Sequence, residues 1–163
     1  LVEQLQARAF EREYAAVVNG VLTAGGTIDA PIGRHPVQRK RMAVVTSGGK
    51  PAVTHYRVEQ RYRAHTLVKV NLETGRTHQI RVHMTHIHHP LVGDQVYGGR
   101  LKLPAGCSEA LVEVLRNFKR QALHARSLGL QHPQTGEPMS WQAPIPNDMQ
   151  NLIAVLAEDA RHG

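Results

Sequence analysis

The chain has 163 residues, a length that suits one domain or a large piece of one. Hydrophobic residues make up 41%, which supports a packed core and excludes global disorder, and no run of eighteen apolar residues exists to cross a membrane as a helix. Twenty Lys and Arg against 13 Asp and Glu give a net charge of +7, a balance that attracts phosphate backbones or anionic membranes. No basic amphipathic helix with an aromatic edge stands out, so nucleic acid is the better partner class.

In chain order, residues 1–9 read as the end of a helix, with Leu1 and Leu5 one turn apart. They contain neither a basic n-region nor an apolar h-region, so they are not a signal peptide. Arg12 to Asn19 reads as a strand, with Tyr14, Ala16 and Val18 on one face and Glu13, Ala15 and Val17 on the other. Thr23 to Gly26 is a turn. Residues 33–42 hold Arg34, Arg39, Lys40 and Arg41 and no acid, which reads as a basic loop. A hairpin follows, with Thr54, Tyr56, Val58 and Tyr62 of one parity, then Val68, Val70 and Leu72.

Glu73-Thr74-Gly75 closes that strand and opens a helix that Pro90 stops. Ile80, Met84 and Ile87 form its apolar stripe, and His78, Arg81, Thr85 and His88 the neighbouring polar one. Ser108 can cap a helix carrying Leu111, Val112, Leu115 and Phe118. Gln121 to Leu130 and Met139 to Gln142 read as strands. Asn147 with Gln150 resembles a capping box for a last helix bearing Met149, Leu152, Ile153 and Leu156. Cys107, the single cysteine, excludes an internal disulfide and fits a reducing cytoplasm. The mixed order of elements predicts an α+β fold with a mixed, mostly antiparallel sheet and flanking helices.

The most informative stretch is Thr74 to His83, Thr-Gly-Arg-Thr-His-Gln-Ile-Arg-Val-His. Helix N-termini present free N–H groups and a positive dipole end, and Arg76 and Arg81 add forked cationic donors, so the junction suits an anion. This stretch resembles the signature of the RluA family of pseudouridine synthases. So do Arg12 to Gly20, His89 to Asp94 with Tyr97-Gly98, Leu123-His124-Ala125, and Trp141-x-Ala-Pro-x-Pro146. Finer matches, such as Ala24 to Thr27 and Pro51 to Arg57, point to the branch that modifies a stem-loop of large-subunit ribosomal RNA.

The resemblance implies an enzyme that isomerises uridine to pseudouridine in 23S ribosomal RNA, without metal or cofactor, acting in the cytoplasm as a monomer. It assigns Tyr14 to stacking on the flipped uracil and to the base, Arg81 to pairing with the catalytic carboxylate, and Leu123 to the uracil pocket. Arg76, His78 and the basic cluster of Arg34, Arg39, Lys40 and Arg41 are the expected RNA contacts. One element is missing. The family's catalytic aspartate lies in an Arg-Leu-Asp motif upstream of the tyrosine, and residues 1–13 contain no Asp. Asp29, Asp94, Asp148 and Asp159 lack that context. Residues 1–163 are therefore expected to be the C-terminal portion of one catalytic domain whose N-terminal part is missing, inactive alone. Two rivals remain: a non-catalytic RNA-binding module, and a metal-dependent hydrolase using His78, His83, His86, His88 and His89. The spacing argues against the second, because helical metal pairs favour i, i+4 with a nearby carboxylate.

Overall fold

The computed structural model describes residues 9–131, 134, 135 and 137–162. The helix expected over residues 1–9 lies almost wholly outside them. The centre is a six-stranded sheet in the order β2-β5-β6-β1-β7-β8. Its strands are β1 (Ala9–Asn19), β2 (Gly26–Asp29), β5 (Val53–Arg61), β6 (His65–Leu72), β7 (Leu123–Gln131) and β8 (Pro138–Gln142). Every ladder described in it is antiparallel. A separate hairpin pairs β3 (Ile32–Arg34) with β4 (Met42–Val44). Residues expected as one basic loop are thus two short strands joined by residues 35–41. Three helices complete the fold: α1 (Gln79–His86), α2 (Glu109–Asn117) and α3 (Asn147–His162).

The alternation read in β1 divides the core. Ala15 and Val17 face a cluster with Leu111, Leu115, Met149, Leu152 and Leu156 from α2 and α3. Ala16 and Val18 face a second cluster with Val68, Val70, Ile80 and Met84, which seats α1 on the opposite side. Both faces of β1 are covered, so Ala15 to Val18 are completely buried. Full burial of each large aliphatic side chain contributes about 1.5–3 kcal/mol.

Parity misleads at one strand. Tyr62 shares parity with Thr54, Tyr56 and Val58 in the sequence. Val58 pairs with Val68 but Gln60 pairs with Leu67, so Glu59 is an inserted bulge residue. The bulge flips the remaining side chains, and Tyr62 enters the α2/α3 cluster while Tyr56 and Val58 stay on the α1 side. Ser108 caps α2 as expected, accepting from Leu111 N–H at 3.1 Å. The expected capping box of α3 is not made: Gln150 donates instead to the Ile145 carbonyl at 2.6 Å.

Candidate active site

Helix α1 is placed by a buried chain of polar contacts drawn from the Thr74–His83 stretch. Gln79, 3% exposed, accepts from Thr74 Oγ1 at 2.7 Å and from the Arg76 N–H at 3.0 Å. Its amide donates to Val53 O at 3.0 Å and to Thr54 Oγ1 at 2.9 Å. Thr54 Oγ1 in turn lies 2.7 Å from Nδ1 of the fully buried His83, whose Nε2 is 2.8 Å from Ala30 O. A carbonyl only accepts, so Nε2 carries a proton, and Thr54 Oγ1, which accepts from Gln79, has its own proton to give Nδ1, an arrangement that suits the neutral ring. Burial pushes its pKa down, against the pull of the Ala30 carbonyl. Each member is satisfied, so the network fixes the start of α1 against β5 without an orphaned polar group. Sequence reading assigned Gln79 no part and His83 only a place in the rival metal cluster; one signal available was a polar pair at i, i+4 beside the apolar stripe.

Arg81 leaves the core on the polar side of α1, as its stripe predicts. Its guanidinium grips Asp94 with both arms, Nε to Oδ2 at 2.8 Å and Nη2 to Oδ1 at 3.0 Å. The Asp94 side chain is completely enclosed, and Oδ1 also accepts the backbone N–H groups of Val96 and Tyr97 at 3.0 Å each. Burial pulls the Asp94 carboxyl up, but the Arg81 and backbone donors outweigh it and hold its pKa below the usual carboxylate range. The hydrogen bond to Asp94 raises that of Arg81. The Tyr97 ring lies under the guanidinium at 5.0 Å. Its hydroxyl is 2.8 Å from His78 Nδ1 and accepts from the Met42 N–H of β4 at 3.0 Å. This constellation ties α1, the turn after it and the β3–β4 hairpin together.

Two local features set that geometry. Residues 90–92 run beside the end of β1, with Asn19 N–H donating to Pro90 O at 2.8 Å and Val92 N–H to Val17 O at 2.9 Å. Gly93 then adopts φ +79°, and a Cβ there would sit 2.1 Å from Arg120 O, so a side chain would displace the turn that delivers Asp94. His78, just before α1, has φ 56°, a left-handed conformation uncommon for a non-glycine residue. Burial, and then the Arg81 charge, push its pKa down, with Asp94 acting in the opposite sense.

Tyr14 and Leu123 reach the same side of the sheet as α1. Both pack, half-buried, on the cluster containing Ile80 and Met84. Leu123 pairs with Ala16, and Tyr14 with Ala125, beside a bulge where the register moves from Glu13–Ser127 to Tyr14–Ala125. Arg12, on β1, lies so close over Gly75 that a Cβ there would be 2.6 Å from its Nη1. Of the expected RNA contacts, Arg34 and Arg76 share a cleft of about 380 Å³ with Lys50. Arg76 Nε donates to Pro51 O at 2.7 Å, and Arg34 Nη1 to Arg39 O at 3.1 Å. Arg39 and Lys40 project from the exposed tip of the hairpin, beside the half-buried Arg41. Among the described residues, no group of three or more His, Cys, Asp and Glu side chains could hold a metal ion.

The antiparallel sheet carries Tyr14 and Leu123 on the face where the helix bearing Arg81 packs, and Arg81 is paired with Asp94 rather than with the catalytic carboxylate the resemblance implied. A family model described as RNA pseudouridylate synthase matches residues 1–86, more than half of the chain, and the chain belongs to that family. The particular relatives agree. The chain is 62% identical over 159 residues to "Ribosomal large subunit pseudouridine synthase D" of Pseudomonas aeruginosa, covering 98% of this chain and 49% of that protein. It is 60% identical over 159 residues to the protein of the same name from Escherichia coli, covering 98% and 48%. The chain therefore spans about half the length of these relatives. Among solved structures, "Human RNA Pseudouridylate Synthase Domain Containing 1" superposes with a TM-score of 0.68 at 28% identity, over 89% of this chain and 58% of that one.

Proposed function

We propose that this chain is part of an enzyme that isomerises uridine to pseudouridine in large-subunit (23S) ribosomal RNA, in the cytoplasm and as a monomer. In that reaction the C1′–N1 bond breaks and a C1′–C5 bond forms, while C5 loses a hydrogen and N1 gains one. Oxidation state and atom count are unchanged, so the chemistry calls for no redox cofactor, and this reading assigns no step to a metal. The relatives' names supply the ribosomal substrate. The observation that carries the reading is the convergence of Tyr14 and Leu123 on the Ile80–Met84 side of the helix that bears Arg81.

In this reading the Tyr14 ring stacks on the flipped uracil and its hydroxyl acts as base, while Leu123 lines the pocket. Arg81 favours the ionised form of the nucleophilic aspartate, which belongs to an Arg-Leu-Asp motif outside residues 1–163. A guanidinium has five N–H donors. Asp94 takes one from Nε and one from Nη2, which leaves the Nη1 pair for a second carboxylate. Arg76, His78, Arg34, Arg39, Lys40 and Arg41 receive phosphates around the pocket.

The test uses the full-length protein and large-subunit RNA tritiated at uridine C5. Rearrangement through C5 must release tritium to water. Release, with pseudouridine at defined positions, is the expected result. RNA binding with no release would instead make the protein a non-catalytic RNA-binding module.

A further inference from the structure

Against the 91–98 turn lies a cavity of about 410 Å³ whose lining contains none of the residues assigned to the uridine pocket. Its floor is apolar: Leu91, Val92, Leu115 and Phe118, all 8% exposed or less. Its lining carries Arg100, Lys102, Arg116 and Lys119. All four are exposed, and among the described residues none of their side chains makes a hydrogen bond or an ion pair. Arg63, Arg81, Arg120 and Arg126, by contrast, are each committed to a carboxylate. The single acid in the lining is Asp94, and its carboxylate is enclosed and turned to Arg81. The cavity therefore presents four uncompensated positive charges around an apolar floor. Its walls are held in place: Gln95 Nε2 donates to Lys119 O at 2.7 Å across one edge. Arg63 anchors the end of the 99–106 loop through Ala105 O at 3.0 Å.

We infer that this cavity is a second RNA site, taking an unpaired nucleotide of the substrate strand outside the uridine pocket. Its phosphates lie on Arg100, Lys102, Arg116 and Lys119, and its sugar or base on the Leu91–Phe118 floor. The volume falls in the range of about 300–1,000 Å³ usual for sites that enclose a small organic ligand. An apolar floor under a cationic rim suits a nucleotide, whose base or sugar prefers the dry surface while its phosphates seek charge. The inference rests on the RNA reading above. It adds that the strand passes over the turn holding Asp94, so that RNA grips both sides of the element that orients Arg81.

The experiment measures binding of the full-length protein to a large-subunit RNA stem-loop as salt is raised. It compares wild type, Lys102→Ala/Lys119→Ala, and a control pair of equal charge elsewhere, Arg57→Ala/Arg161→Ala. Each phosphate contact to a single strand contributes a slope of about −0.7 in log K against log salt, so the cavity pair should flatten the slope by about 1.4 and the control pair should not. An unchanged slope in the cavity pair overturns the inference. Equal flattening in the control pair also overturns it, because the effect would then be diffuse charge. Saturable binding of uridine monophosphate alone, tighter than the RNA and abolished by the cavity pair, would mark a small-molecule site and reject the strand. Because the readout is binding, failure here is separate from failure of the tritium-release test.

Discussion

Replacing Asp94 with Asn examines the Arg81 constellation where it is most exposed to error. The carboxylate accepts four hydrogen bonds, two from Arg81 and one each from the Val96 and Tyr97 N–H groups, in a fully enclosed position. An amide in its best orientation keeps the three bonds to Oδ1 but turns an NH₂ toward Arg81 Nε, and it removes the negative charge. The Arg81 side chain is 12% exposed, so little water can compensate. Breaking a buried pair in this way costs about 3–5 kcal/mol. For domains of this size each kcal/mol lowers the melting temperature by about 2–4 °C, giving an expected loss of roughly 6–20 °C by circular dichroism. The pH dependence has a definite sign. A carboxyl held below its ordinary value stabilises the fold above the unfolded pKa of about 3.9 and loses that contribution as pH falls through the lower folded pKa. The gap between wild type and Asp94→Asn should therefore be full at neutral pH and close in acid below about pH 4. A neutral-pH shift under about 2 °C, or a gap that is constant with pH, would refute the assignment of Asp94 as a buried ionic anchor.

Three further perturbations follow from the same contacts. Tyr97→Phe keeps the ring under Arg81 but frees the Met42 N–H and His78; it should cost about 1–3 kcal/mol of stability and weaken RNA binding, and wild-type melting would exclude the hydroxyl as a clasp. His83→Gln addresses pH: a histidine with a lowered folded pKa stabilises the protein above its unfolded value of about 6.5 and loses that as pH falls through the lower one, so the variant's stability should fall less steeply below pH 6.5. Identical pH profiles would count against a buried neutral His83. Tyr14→Phe in the full-length enzyme keeps the stacking face, so RNA affinity should hold while the single-turnover rate drops about 10²–10⁴-fold, and equal rates would leave Tyr14 with stacking alone.

Part of this was legible in the sequence from strand parity in β1 and from helical spacing in α1. Parity over Tyr14–Val18 separated the two faces of the central strand, and the spacing of Ile80 and Met84 gave part of the buried side of α1, which ends one residue before Ile87. Three things escaped. The Tyr62 face depends on a one-residue bulge at Glu59, which leaves no mark in a period-two pattern. Asp94 looked like a turn residue, because its partner Arg81 lies 13 positions away and meets it only through the Gly93 turn. Gln79 carried no reading and His83 only that of a rival metal ligand, whereas their function in the fold is to satisfy Thr54, Val53 and Ala30. Such contacts depend on which strands neighbour the helix, and that is fixed by tertiary packing.

In the proposed reading, residues 1–163 supply Tyr14, Leu123 and Arg81, and the nucleophilic aspartate belongs to an Arg-Leu-Asp motif of the longer enzyme. The direct measurement is single-turnover pseudouridine formation on large-subunit RNA by three proteins: residues 1–163, the protein extended upstream through its Arg-Leu-Asp motif, and that extended protein with the motif Asp changed to Asn. The account predicts conversion by the second alone. Conversion by residues 1–163, or undiminished conversion by the Asn variant, would contradict it.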